Sequence, residues 1–123
     1  MTQVVIPPLN DGEIYLCGFV DANGDVEHVV IVAINNERGE WQEQMEWAKS
    51  LGADLMTRPE QAIAYAKLKD RFEDAGYWSN EDAGDGFAWY QGFGYGLQIC
   101  SGQNLRLRAV AVRRFKNLSH STI

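Results

Sequence analysis

The stretch "LRLRAVAVRRF", residues 105–115, constrains this chain more than any other. A strand with one wet face needs an apolar residue only at every second position. Ala109, Val110, Ala111 and Val112 are apolar without interruption. That run predicts a central strand buried on both faces. At the other end, "GEIYLCGFVDANGDVEHVVIVAI" holds two β-rich runs, about residues 13–20 and 26–34, on either side of Asn23-Gly24. Asn-Gly readily takes the positive φ angles of a tight turn, so residues 13–34 read as a hairpin.

Between these lie two helical patterns. Trp41, Met45, Ala48 and Leu51 recur on one face of a helix over about 41–51, with Glu40, Glu43 and Glu46 mainly off that face and Gly52 as its stop. Thr57 with Glu60 three residues later forms a capping box, and Pro59 suits the first turn of a helix over about 58–70. Ala62, Ile63, Ala66 and Leu68 or Lys69 give that helix a small-residue face for packing on a sheet. From Tyr77 the pattern returns to strands over 77–115. "YWS" is short, "FAWYQGF" alternates Phe87, Trp89, Gln91 and Phe93, and "YGLQIC" alternates Tyr95, Leu97 and Ile99. The order is ββ-αα-ββββ, an α+β domain spanning residues 1–123, with a polar, loosely held tail over 116–123. A chain of 123 residues suits one core.

Composition excludes several classes. No run of about 18 apolar residues is present, so no membrane span is expected. The start "MTQVVIPPLNDG" has neither a basic end nor a long apolar stretch, which predicts a chain made in the cytoplasm without a signal peptide. A virion component would start there too. Residues 1–104 carry all 17 acids and 6 bases, a local charge of −11, whereas residues 105–123 carry five bases and no acid. The acidic surface disfavours nucleic acid and anionic membrane and suits either solubility or a basic partner. Cys17 and Cys100 are too few for a disulfide framework or a cysteine zinc site. Each lies in an apolar strand pattern and reads as a core thiol, with a single bridge between them left open.

"WQEQMEWAKSLGADLMTRPEQAIAYAKLKD", "YWSNED", "AWYQGFGYGLQ" and "LRLRAVAVRRF" occur in an order that resembles a group of small phage and bacterial domains of unknown function. The likeness runs from Trp41 to Phe115. It rests on W-x3-M-x2-A, L-x-T-R-x-E-Q, Y-W-S, A-W and R-A-V-x-V-R-R. That group is assigned a C-type-lectin-like fold. The resemblance implies terminal strands brought together, two helices beside the sheet and a long irregular segment. It also implies a binding surface of the kind that phages present at tail fibre tips, which is argument by analogy.

Each candidate site has a plain alternative. "WSNED" resembles the element through which sugar-binding lectins hold calcium, but Asn80, Glu81, Asp82 and Asp85 supply only about half the six to eight oxygens required. No Glu-Pro-Asn or Gln-Pro-Asp loop accompanies them, so an acidic solvated loop is favoured and no metal is assigned. Trp41, Trp78 and Trp89 read as scaffold, whereas Tyr90, opposite in phase to Trp89, is the better exposed contact. The copper-dependent oxidase chemistry of a related fold needs a cysteine pair in one pocket, which isolated Cys17 and Cys100 do not suggest. His28 in the hairpin reads as a half-exposed strand histidine, and neither it nor His120 accompanies an activated nucleophile. "GFGYG" lacks the lysine and following helix of a phosphate loop and reads as a hairpin. Arg108 and Arg113, with their neighbours in the last strand, are assigned structural pairing with carboxylates, one pair bracing the Glu81–Asp85 loop.

The expectation is a non-enzymatic binding module without a cofactor. Asn80, Glu81, Asp82, Asp85, Tyr90, Gln98 and Asn104 line its contact surface. The partner is a host surface receptor or a neighbouring tail protein, with a glycan as a further option. The alternative is an acidic phage-encoded inhibitor or adaptor that docks on a basic host cytoplasmic protein. Neither class contacts nucleic acid or membrane directly. Oligomeric state is not legible, although the 13–34 hairpin is a candidate edge for pairing with a second copy.

Overall fold

The computed structural model describes residues 5–117. The architecture is α+β. Strands β1 (Ile14–Val20) and β2 (Val26–Gly39) precede helix α1 (Trp41–Ser50), the two-residue strand β3 (Asp54–Leu55) and helix α2 (Arg58–Leu68), which runs on as a short 3-10 turn over Lys69–Arg71. Strands β4 (Gly76–Gly84), β5 (Phe87–Gly92), β6 (Gln98–Gly102) and β7 (Leu107–Asn117) follow. The polar tail from residue 118 onward and His120 lie outside the described residues.

One sheet holds all the strands in the order β1-β2-β7-β4-β5-β6, with β3 against the far half of β7. Every pairing is antiparallel except β4 with β7, which meet at Tyr77↔Arg108 and Trp78↔Ala109. The last strand therefore sits mid-sheet, as its apolar run requires. Ala109, Val110, Ala111 and Val112 are all buried. Val110 and Val112 join a core with Leu16, Val29, Ile31, Tyr77, Phe93 and Ala64 of α2. Ala109 and Ala111 join another with Trp78, Ala88 and the Trp41 and Ala48 of α1. The helices thus cover opposite faces of the sheet. Where the sheet offers alanines, α1 brings tryptophans.

Both helices are capped by their own sequence. In α1, Glu40 and Glu43 form a capping box. At its far end Gly52 takes φ 68°, and the N–H groups of Gly52 and Ala53 return to the carbonyls of Lys49 and Ala48. In α2, Thr57 Oγ1 accepts from Glu60 N at 3.2 Å and Glu60 Oε1 accepts from Thr57 N at 2.8 Å.

The helix faces differ from those expected. Leu51 is exposed, and Gln44 is buried in its place, donating from Nε2 to the carbonyls of Glu37 and Leu107 at 2.9 and 2.8 Å. Ala62 and Ala66 are also exposed; α2 instead buries Glu60, Gln61 and Ala64. Glu60 is tolerated because Arg114 meets it with two bonds of 2.7 and 2.8 Å, while the same guanidinium reaches Asp54 Oδ2 at 2.9 Å. His28 is fully buried rather than half-exposed, with Nδ1 at 2.7 Å from Tyr15 Oη. Cys17 and Cys100 are both free, Cys17 half-buried and Cys100 exposed. They lie on the two outermost strands with four strands between them, so they do not bridge.

Candidate functional site

The N-terminus of α2 leaves backbone donors that the helix itself cannot use. One of them, Arg58 N, donates to Glu81 Oε2 at 2.8 Å. Glu81 reaches it because β4 is irregular there. Between the pairs Trp78↔Tyr90 and Asp82↔Ala88 the strand carries more residues than its partner, a bulge that re-aims the side chains within it. Ser79 Oγ bonds the carbonyl of Trp89 at 2.8 Å and accepts Glu81 N at 3.1 Å, which holds the bulge in shape. Asn80 is turned elsewhere, donating to Asp54 Oδ2 at 2.8 Å. Since Asp54 is in turn held by Arg114, it is Arg114 that braces the start of this loop. Arg113 pairs with Glu13 at 2.7 Å instead, and Arg108 makes no salt bridge among the described residues.

Arg58 is the centre of the site. Its guanidinium carbon lies 3.6 Å from the centroid of the Trp89 ring, a close cation–π stack. Its Nε donates to Gln98 Oε1 at 3.2 Å, and its carbonyl accepts from Gln98 Nε2 at 2.7 Å. Gln98 Nε2 also reaches buried Gln91 Oε1 at 3.0 Å, across the β5–β6 pair Gln91↔Gln98. Arg58, Pro59, Ala62, Glu81 and Gln98 line an open cleft of about 440 Å³. The terminal nitrogens of Arg58 and the Oε1 of Glu81 make no hydrogen bond among the described residues. The cleft therefore offers a fixed cationic fork and a carboxylate oxygen beside an aromatic face.

The seven residues expected on one surface fall into four places, Tyr90 lying apart from the rest against Trp78. Glu81 and Gln98 meet at Arg58. Asp82, near the end of β4, lies with Asp85 and Asn104 at two turns tied together by Gln103, whose N and Nε2 donate to the carbonyls of Gly86 and Phe87 at 2.9 and 3.1 Å. In the first turn Asp82 Oδ1 accepts Gly84 N at 2.7 Å and Asp85 has φ 54°. Asn80 faces Asp54. The oxygens once considered for calcium are thus dispersed, and among the described residues no three His, Cys, Asp or Glu side chains are placed to hold a metal ion.

Two aromatics exchange roles. Tyr90 lies on the α1 face, its ring 6.0 Å from buried Trp78, and is not the free contact expected. Trp89 is on the α2 face, half-buried beside the start of the helix, and forms the floor under Arg58 rather than core. Phe87, on the same face two residues earlier, is 45% exposed. Sequence reasoning missed Arg58 because "TRPE" is fully accounted for as a helix start. The available signal was an arginine in the first turn, where the helix dipole gives a cation no local advantage. No family model matches this chain, and no curated protein matches it closely.

Proposed function

We propose that this chain is a non-enzymatic binding module of the C-type-lectin-like kind, carried by a phage particle and contacting a host receptor or neighbouring tail protein through the Arg58 cleft. The observation that carries the reading is the stacked Arg58–Trp89 pair with unused donors beside Glu81. A guanidinium fixed on an aromatic ring has little side-chain freedom left to lose on binding, which is the economy of a preorganised contact. The placing of the hairpin strands beside the last strand, with two helices against the sheet, supports the fold assignment. Arg58, Glu81, Phe87, Trp89 and Gln98 are the contact residues, with the 85 and 104 turns as rim. Labelled protein should bind host cells or purified tail protein, and Arg58→Ala with Trp89→Ala should weaken that binding at least tenfold while the spectrum of the fold is kept. Unchanged binding by the folded double variant would remove the cleft from the proposal. Mass spectrometry of purified particles tests the location.

A second reading rests on the end of β2 and the start of α1, where Glu37, Glu40, Glu43 and Glu46 are all exposed. There the module is an acidic inhibitor or adaptor on a basic cytoplasmic host protein. Capture of such a protein would weaken steeply with salt and respond to Glu46→Lys rather than to Arg58→Ala.

A further inference from the structure

We infer that the chain forms a two-fold dimer by antiparallel pairing of the outer edge of β6 with the same edge of a second copy. This does not depend on what the Arg58 cleft binds. The sheet ends at β1 on one side and β6 on the other, and the two edges are treated differently. β1 carries an irregularity between Tyr15 and Cys17, and Lys67 Nζ occupies the Leu16 carbonyl at 2.7 Å. Bulges and lysines are the usual means of blunting an edge. β6 has neither. Its register with β5 is unbroken from Gln91↔Gln98 to Phe87↔Gly102, and no proline or charge lies on it.

The absence of charge extends well beyond the strand. From Gly86 to Leu105 the chain has no Asp, Glu, Lys or Arg, although its net charge is −6. Two copies of an acidic molecule meet at least electrostatic cost where each is neutral. The flanks are also apolar and exposed: Leu97 is 61% and Ile99 41% accessible.

Backbone parity specifies the pairing. Gly92 N donates to the Leu97 carbonyl at 2.7 Å, and Gln103 N donates to the Gly86 carbonyl at 2.9 Å. Odd-numbered residues of this segment therefore turn their N–H and C=O groups toward β5. Gln98 and Cys100 turn both groups outward, whereas Gly102 turns its N–H outward and its carbonyl already accepts Leu105 N at 3.0 Å. Antiparallel pairing of this set on itself is fullest when Cys100 faces Cys100 and Gln98 faces Gly102. The two Cys100 residues then exchange two hydrogen bonds, each Gly102 N–H donates to the facing Gln98 carbonyl, and the glycine leaves room opposite the glutamine. The pairing continues the sheet from one copy into the other and sets the two Trp89–Arg58 faces on the same side.

Sedimentation equilibrium of the full chain from micromolar to millimolar concentration should show the mass doubling. Diamide, which takes up the two protons and two electrons that a pair of thiols gives up on joining, should link the copies through Cys100, with Cys17→Ser leaving the yield unchanged. Cys100→Pro removes an outward N–H that the sheet does not use, so the fold should persist and the dimer dissociate. Should that variant unfold by circular dichroism, Ile99→Lys replaces it and should weaken dimerisation at least tenfold. The amides of Cys100 and Gly102 should exchange more slowly as concentration rises. A monomer throughout the range with those amides exchanging freely overturns the inference, and so does a dimer that a folded edge variant leaves unchanged.

Discussion

At the scale of single residues, burial separates ion pairs that matter from those that do not. Arg114 and Glu60 share two bonds, with the carboxylate almost wholly removed from solvent, whereas Arg106 and Glu43 meet at 3.1 Å in the open. Arg114→Ala strands a buried carboxylate and should cost about 3 kcal/mol, the low end for such a break because the guanidinium keeps a wet edge. Arg106→Ala should cost under about 0.5 kcal/mol. Urea unfolding midpoints of the two variants measure the difference, and equal losses would contradict this assignment. The thiols divide in the same way. Burial pushes Cys17 up to about 11, aided by the charge of Glu60 and opposed by that of Lys67. An acid whose ionisation is resisted only in the folded chain contributes stability that is whole below the free-thiol value near 8.5 and is lost as pH climbs toward the folded value. Disulfide-exchange reagent at pH 8 should therefore label exposed Cys100 rapidly and Cys17 slowly. Cys17→Ala should flatten the alkaline fall in stability. Two thiols of equal rate would count against it.

At the scale of elements, local chemistry was legible and cross-strand geometry was not. Asn23-Gly24, Gly52 and the Thr57–Glu60 box each act within a few residues, and all three mark boundaries that the structure keeps. Thr57→Ala should cost about 1 kcal/mol through the lost bond to Glu60 N, with Thr57→Ser restoring most of it. Urea denaturation reads the loss. The same change should loosen Arg58 over Trp89, because Arg58 is the first residue the cap fixes. What the sequence concealed was extent. Phe87 and Trp89 alternate as core residues do, yet α2 covers Trp89 only with the guanidinium of its first residue and leaves Phe87 exposed. Gln44 replaces an apolar residue on the buried side of α1 because three polar backbone or side-chain groups need it there, a demand invisible to hydrophobic periodicity. The Glu81 approach to Arg58 depends on a bulge, and bulges carry no pattern of their own.

At the scale of the whole molecule, the sheet is two blocks joined at a narrow seam. β1, β2 and β7 form one block, paired along most of their length, and β4, β5 and β6 form the other. Among the described residues only Tyr77↔Arg108 and Trp78↔Ala109 pair across the boundary, in the parallel arrangement that is slightly less stable per residue. Other bonds reinforce it. Trp41 Nε1 donates to the Ser79 carbonyl at 2.8 Å, Trp78 Nε1 to the Gly39 carbonyl at 3.1 Å and Gln61 Nε2 to the Tyr77 carbonyl at 2.9 Å. The two indole donors belong to buried rings, so Trp41→Phe and Trp78→Phe each leave a carbonyl without its partner and a small gap where part of the indole was. Each should cost about 1–3 kcal/mol. If the seam is where the molecule parts, that loss will not be spread evenly. Native-state hydrogen exchange should show the amides of β4 and β5 opening faster in either variant at low denaturant. The amides of Ala109 to Val112 that face β2 should still wait for global unfolding. Uniform acceleration of every amide would mean one indivisible block, with the indole bonds serving only the total.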